Sequence, residues 1–104
     1  MSLQVLKTRK TTRSGILASA GTALSANPAR VSYKIQNLAT EALFVKEGAS
    51  ASVTDFDYIL AAGTVSDDGT GGSYDSPSDQ VYTGIITVAG TTPRFNASER
   101  AEKE

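Results

Sequence analysis

The sequence contains no cysteine, no histidine and no tryptophan. Without cysteine there can be no disulfide framework, no thiolate nucleophile and no cysteine-based zinc site. Without histidine the chain also lacks the commonest general base, the usual activator of a catalytic serine and the commonest metal ligand. These absences predict that the protein is not an enzyme.

Long apolar runs are missing as well. No segment approaches the roughly 18 apolar residues that a membrane span needs, and the opening MSLQVLKTRK lacks the apolar region of a signal peptide. We therefore expect a soluble protein that is made in the cytoplasm and has no membrane partner. At 104 residues and 39% hydrophobic content the chain has the size of one domain, and its wealth of small and turn-forming residues favours an all-β fold.

The clearest strand signals lie in residues 30–48. Val31, Tyr33 and Ile35 alternate with polar residues, which is the period of a strand with one buried face. Turn-forming residues follow, and residues 42–45 are then an apolar, β-branched and aromatic run that predicts a second strand. We interpret this stretch as a central hairpin.

Three further segments predict strands: residues 55–63, with the acids outward, residues 81–90 and residues 91–99. Gly84 inside the second of them indicates a bulge or a close backbone approach. Residues 64–79 are rich in turn formers and predict a long exposed loop. Six apolar side chains at strand spacing should share one core: Ile35, Leu43, Val45, Leu60, Ile86 and Val88.

Together these signals predict a single β-sandwich or jelly-roll-like barrel with an extended N-terminal arm. Residues 1–24 form the extended basic arm or an edge strand in this interpretation. Residues 25–98 form the β-sandwich domain, and residues 99–104 form a charged C-terminal tail.

Charge is distributed unevenly along the chain. Residues 1–34 hold six basic residues and no acidic one, whereas residues 35–104 hold four basic residues and all 11 acidic ones, giving +6 and −7. Lys7, Arg9, Lys10 and Arg13 form a basic cluster suited to phosphate or to an acidic protein surface. The alternative is a merely solvated tail. No nucleic acid is expected, because the cluster has no aromatic residue to stack a base and the remaining chain is acidic. The candidate partner-binding residues are Leu3, Val5, Lys7, Arg9, Lys10, Arg13, Ile16 and Leu17.

The acidic loop at residues 64–79 invites comparison with calcium sites, but Asp67, Asp68 and Asp75 do not have EF-hand spacing. A solvated turn is the better interpretation. We expect no metal and no cofactor.

Three segments in order, SANPARVSYKIQNLATEALFVKEG, LAAGT and VYTGIITVAGTTPRF, resemble small β-sandwich virion proteins of tailed bacteriophages. In those proteins an NPxR-type turn leads into a strand ending in IQN, and a second strand closes with V-K/R-x-G. The resemblance covers residues 25–95, and residues 1–24 match no pattern of that family. It implies a capsid decoration (cement) protein on the outer capsid surface of the virion, bound to the major capsid protein as a homotrimer or other homo-oligomer. The alternative is a carbohydrate- or receptor-binding β-sandwich module of a phage head fibre or tail assembly.

Overall fold

The computed structural model describes residues 8–17, 19–77 and 81–102. These residues form eight β-strands and no helix, which confirms the predicted all-β fold. The strands are β1 (Thr8–Ile16), β2 (Ala20–Leu24), β3 (Arg30–Asn37), β4 (Leu43–Glu47), β5 (Tyr58–Leu60), β6 (Ser73–Asp75), β7 (Ile86–Ala89) and β8 (Arg94–Glu102). No helix long and apolar enough to cross a membrane occurs in this part of the chain.

The strands assemble into two four-stranded antiparallel sheets. Sheet 1 has the order β1-β8-β3-β6, and sheet 2 has the order β2-β7-β4-β5. β1 pairs with β8 over nine residues, from Thr8 opposite Glu102 to Ile16 opposite Arg94. This arrangement is consistent with a β-sandwich.

The core lies along alternate positions of the strands in both sheets. All six predicted core residues belong to one cluster and are at most 5% exposed, which confirms the prediction: Ile35, Leu43, Val45, Leu60, Ile86 and Val88. Phe95 and Ala97 of β8 complete it from sheet 1. The alternation seen in the sequence therefore marks the buried faces of these strands.

The predicted central hairpin is wrong, because β3 and β4 lie in different sheets. β3 pairs with β8 and β6, whereas β4 pairs with β7 and β5. The bend that carries the chain across is held by buried Asn37, whose amide donates to the Glu41 carbonyl at 2.8 Å and whose carbonyl accepts from Ala39 N–H at 2.9 Å. Such side-chain hydrogen bonds provide partners for backbone N–H and C=O groups where the chain leaves a sheet.

Two predicted strands are shorter than expected. β5 occupies only Tyr58–Leu60, although Asp55 and Asp57 are exposed as predicted, and β7 begins at Ile86. The carbonyls of Tyr82 and Gly84 accept hydrogen bonds from the Arg30 guanidinium, at 2.8 and 3.0 Å, so this stretch is bonded to a side chain instead of a ladder. A Cβ atom at Gly84 would clash with the Tyr82 side chain, so the close approach at this glycine is made by a side chain and not by backbone as predicted.

The predicted loop at residues 64–79 contains a strand, β6, which pairs with β3. Its register sets Tyr74 opposite Ile35, and the Tyr74 ring lies 4.4 Å from that of Tyr58. β6 is thus fixed by contacts distant in sequence, which local periodicity does not contain.

Strands also occur near both ends of the chain. β8 continues through Glu102 into the segment predicted as a charged tail, because β1 and β3 pair with it on both sides. β1 lies at the edge of sheet 1 within the segment predicted as an arm or edge strand.

Candidate interaction surface

The outer face of sheet 1 is the face that points away from the core. Successive side chains on a strand point to alternate faces of the sheet. Phe95 and Ala97 of β8 are buried, so Ser98 and Arg100 lie on the outer face. The paired positions of β1 and β3 share this face: Lys10 is directly opposite Arg100, and Lys34 is directly opposite Ser98. A polar surface therefore extends across three neighbouring strands.

Six basic residues have described side chains, and three of them are ion-paired. Arg30 pairs with Glu99 at 2.7 Å, Lys46 pairs with Asp55 at 2.6 Å, and Arg94 pairs with Asp67. The other three form no salt bridge within the described part of the chain: Lys10, Lys34 and Arg100. All three lie on the outer face of sheet 1.

These three cations surround a depression of about 280 Å³, which we call the basic depression. Hydroxyl groups of Ser32, Ser76 and Ser98 contribute to its lining. Asp75 of β6 is the one carboxylate on its outer-face rim, directly opposite Lys34. Glu99 also contributes to the lining, but its carboxylate is paired with Arg30. The other four charged side chains carry a net charge of +2.

Lys10 and Arg100 are cross-strand neighbours of like charge. Such a pair weakens a sheet, by roughly 0.2–1 kcal/mol on the scale of cross-strand side-chain pairs. Both side chains are exposed, so salt screens the repulsion over about 8–10 Å. The arrangement costs stability in the isolated protein and would be relieved by an anionic partner.

The opposite end of the outer face carries an exposed apolar residue beside the ion pair of Arg94 and Asp67. Ile16 at the end of β1 is 59% exposed and lies opposite Arg94. A second depression, of about 360 Å³, runs beside it and is also lined by Leu38. Six residues separate Ile16 from Lys10, a distance of roughly 20 Å along a strand. The outer face thus combines a cationic end with an exposed apolar end.

The eight predicted site residues do not all lie on one surface of the described structure. Leu3, Val5 and Lys7 lie outside the described residues. Lys10 and Ile16 lie on the outer face.

Arg9 and Arg13 are placed by register alone, opposite Ala101 and Ala97. Leu17 packs against the core, and its N–H donates to the Pro93 carbonyl at 2.8 Å. Leu17 is partly buried, so the fold already uses part of its apolar surface.

Sequence reasoning missed Lys34 and Arg100. The alternation of β3 did indicate that Lys34 points outward, and this was the only local signal. What joins both residues to Lys10 is the register of β1 and β3 on β8. Pairing between segments so far apart in sequence has no local signature.

A cluster of tyrosines joins the two sheets at the side of the core. The Tyr33 hydroxyl donates to a Glu47 carboxylate oxygen at 2.5 Å and lies 3.0 Å from the Tyr58 hydroxyl. Burial, above all, raises the pKa of both Tyr33 and Tyr58 above the ordinary tyrosine value. These hydroxyls stay protonated, so they bind the sheets together and are not nucleophiles.

The acids of the 64–72 segment are occupied by local contacts. Asp67 is bonded to the Arg94 guanidinium, which holds the pKa of that carboxyl below its usual range. Asp68 accepts from Thr70 N–H at 2.9 Å and from the Thr70 hydroxyl at 2.6 Å, which lowers its pKa as well. The described residues contain no cluster of three side chains that could hold a metal ion.

Comparison with known proteins identifies no relative. No protein-family model, curated protein or solved structure matches the chain. A function must therefore be argued from the residues, from the resemblance already described and from the outer face of sheet 1.

Proposed function

We propose that the protein is a structural virion protein that decorates and stabilises a phage capsid. In this proposal the two sheets form a β-sandwich that sits on the outer capsid surface and bridges neighbouring capsid subunits. Its partner is the major capsid protein, and copies associate as a homotrimer or another homo-oligomer. The protein binds without catalysis and without a cofactor.

The observation that carries this proposal is the grouping of Lys10, Lys34 and Arg100 on one open sheet face. An open face is suited to another protein surface, since small-molecule sites are enclosed and mostly apolar. Exposed ion pairs contribute only about 0–1 kcal/mol each, so the cations set orientation and association rate. Ile16 at the other end supplies apolar contact, and the capsid lattice repeats these weak contacts many times.

The carbohydrate-binding alternative requires exposed aromatic rings. Tyr33, Tyr58 and Tyr74 are engaged with one another between the sheets. Phe56 is 36% exposed and packs edge-on against Phe44 at 5.0 Å. Phe56 is the one aromatic residue among the exposed large hydrophobic side chains of the described residues, and one such ring is a poor platform for a sugar, so the decoration role is favoured.

The proposal is tested by co-sedimentation of the purified protein with capsids that lack it. We expect many copies to bind per capsid and the decorated shells to resist heat or osmotic shock better than bare shells. The double variant Lys10→Ser/Arg100→Ser should bind at least about tenfold more weakly, a loss of about 1.4 kcal/mol.

Lys46→Ser is the matched control, because Lys46 belongs to sheet 2 and pairs with Asp55. It should bind like the original protein. Absence of the protein from intact virions, or equal capsid binding by both variants, would contradict the proposed function or the proposed binding face respectively.

A further inference from the structure

The basic depression has a mixed charge pattern that discriminates between classes of anionic partner. Lys10, Lys34 and Arg100 supply three cations that have no carboxylate partner among the described residues. Lys10 and Arg100 also face each other across the β1–β8 ladder. A partner that places an anion between them removes a repulsion as well as adding an attraction.

Hydrogen-bond donors accompany the charges. Ser32 lies directly opposite Arg100 on β3, and Ser98 lies opposite Lys34, so hydroxyls alternate with cations across the depression. Ser76 is partly used, because its hydroxyl oxygen accepts from Tyr33 N–H at 2.8 Å. Cations with adjacent hydroxyl groups can bind the two oxygens of a carboxylate.

Asp75 limits which anions fit. It is exposed and forms no salt bridge with a described residue, although Lys34 is directly opposite. A uniformly charged phosphate backbone would be repelled by this carboxylate. A protein surface can set a cation against Asp75 and carboxylates against the three basic residues.

Nucleic acid is further disfavoured by the orientation of the aromatic rings. Tyr33 and Tyr74 are the aromatic residues of β3 and β6, and they contact each other on the inner side at 5.7 Å. No aromatic side chain of the described residues lies on the outer face, so bases have nothing to stack on.

We propose that the basic depression binds an acidic protein segment that carries carboxylates for Lys10, Lys34 and Arg100 and one cation for Asp75. The inference deepens the proposed function and rests on it for the identity of that protein, which would be the capsid protein. Binding of an acidic segment requires only the basic depression of the isolated chain, so it can be measured without a capsid.

The test is an NMR titration of the full chain with short synthetic peptides at low ionic strength. The first peptide carries several glutamates and one lysine, the second has glutamine in place of each glutamate, and single-stranded DNA of equal charge is the third ligand. We expect the glutamate peptide to shift the amide signals of residues 10, 34 and 100. Its affinity should be at least about tenfold higher than that of either other ligand.

Variants decide which side chains are responsible. Lys10→Ser/Arg100→Ser should abolish the shifts, and Lys46→Ser should leave them unchanged. Asp75→Asn should improve DNA binding, and it should bind a glutamate peptide without the lysine as tightly as the peptide that contains it. DNA binding as tightly as the glutamate peptide, or peptide binding that survives the double substitution, would overturn the inference.

This result and the capsid experiment can fail separately. A protein that decorates capsids but ignores the glutamate peptide would refute the inferred recognition and leave the proposed function intact. A protein that binds the peptide through the basic depression but does not associate with capsids would refute the proposed function alone.

Discussion

Two buried polar residues, Asn37 and Arg30, hold the backbone where it leaves the sheets. The Asn37 amide reaches the carbonyls of Glu41, Leu60 and Ala61 at 2.8–3.2 Å. Arg30 is 2% exposed and bonds to Glu99 and to three backbone carbonyls. Each residue therefore donates to several backbone carbonyls at or beyond the ends of the strands.

Arg30→Ala should lower the free energy of unfolding by about 3–5 kcal/mol, because Glu99 loses its ion pair and the carbonyls lose their donor. Urea denaturation measures this change. The exposed Arg100→Ala serves as the control: it removes the repulsion with Lys10, so it should leave stability unchanged or raise it by up to about 1 kcal/mol. Similar values for the two variants would show that the Arg30 contacts contribute little.

The apolar core gives a second prediction at this scale. Ile86 is 0% exposed, so Ile86→Ala should reduce stability by about 2–5 kcal/mol through lost burial and a cavity. Ile59 is 49% exposed and offers the same substitution without a cavity, with an expected cost below about 1 kcal/mol. An Ile86→Ala change under about 0.5 kcal/mol in denaturant unfolding would place this residue outside the energetic core.

At the scale of elements, local patterns identified the strands whose own side chains alternate. Alternation predicts β3 and a short apolar run predicts β4, whereas the turn-forming residues around β6 predict a loop. The sequence of β1, TRKTTRSGI, has no apolar period, and its pairing with β8 depends on a partner about 85 residues away. Local patterns also do not predict which strands pair with one another. The sequence therefore predicts a hairpin of β3 and β4, although the two strands lie in different sheets.

The pairing of β1 changes what truncation should do. Deleting residues 1–13 removes six of the nine β1 positions that pair with β8, yet no β1 residue whose side chain is described belongs to the core cluster. We expect the shortened chain to remain folded with a loss of roughly 1–3 kcal/mol from the missing ladder bonds. Circular dichroism and thermal melting check both statements. Complete unfolding would show that β1 is essential to sheet 1.

The 64–72 segment yields a prediction about metal removal. Arg94 and Thr70 already occupy the carboxylates of Asp67 and Asp68, so a chelator should leave the melting temperature unchanged. Because the Asp67 pKa is depressed in the fold, its contribution is present at neutral pH and is lost as the pH falls through that lowered pKa. A drop of several degrees on chelation would reveal a bound cation.

At the scale of the whole molecule, the charge asymmetry of the sequence becomes an asymmetry of surfaces. The sequence divides into a basic first third and an acidic remainder. In the fold, Arg100 from near the end of the chain joins Lys10 on one face, and ion pairs neutralise cations elsewhere. The sequence could therefore name Lys10 and Ile16, which lie on the outer face of sheet 1, but not the sheet register that places Lys34 and Arg100 beside Lys10.

This asymmetry predicts a conflict between stability and binding. Lys10→Glu replaces the repulsion with Arg100 by an attraction, so the isolated protein should become more stable by roughly 0.2–1 kcal/mol. The same change should weaken capsid binding and make it less sensitive to salt, because a cation of the basic depression is lost.

Lys46→Glu alters the net charge equally, but it breaks the pair with Asp55 on sheet 2. It should lower stability slightly and leave capsid binding unchanged. Thermal melting and co-sedimentation at two salt concentrations separate these effects. If Lys10→Glu binds capsids as well as the original chain, the unpaired cations of sheet 1 have no role in attachment.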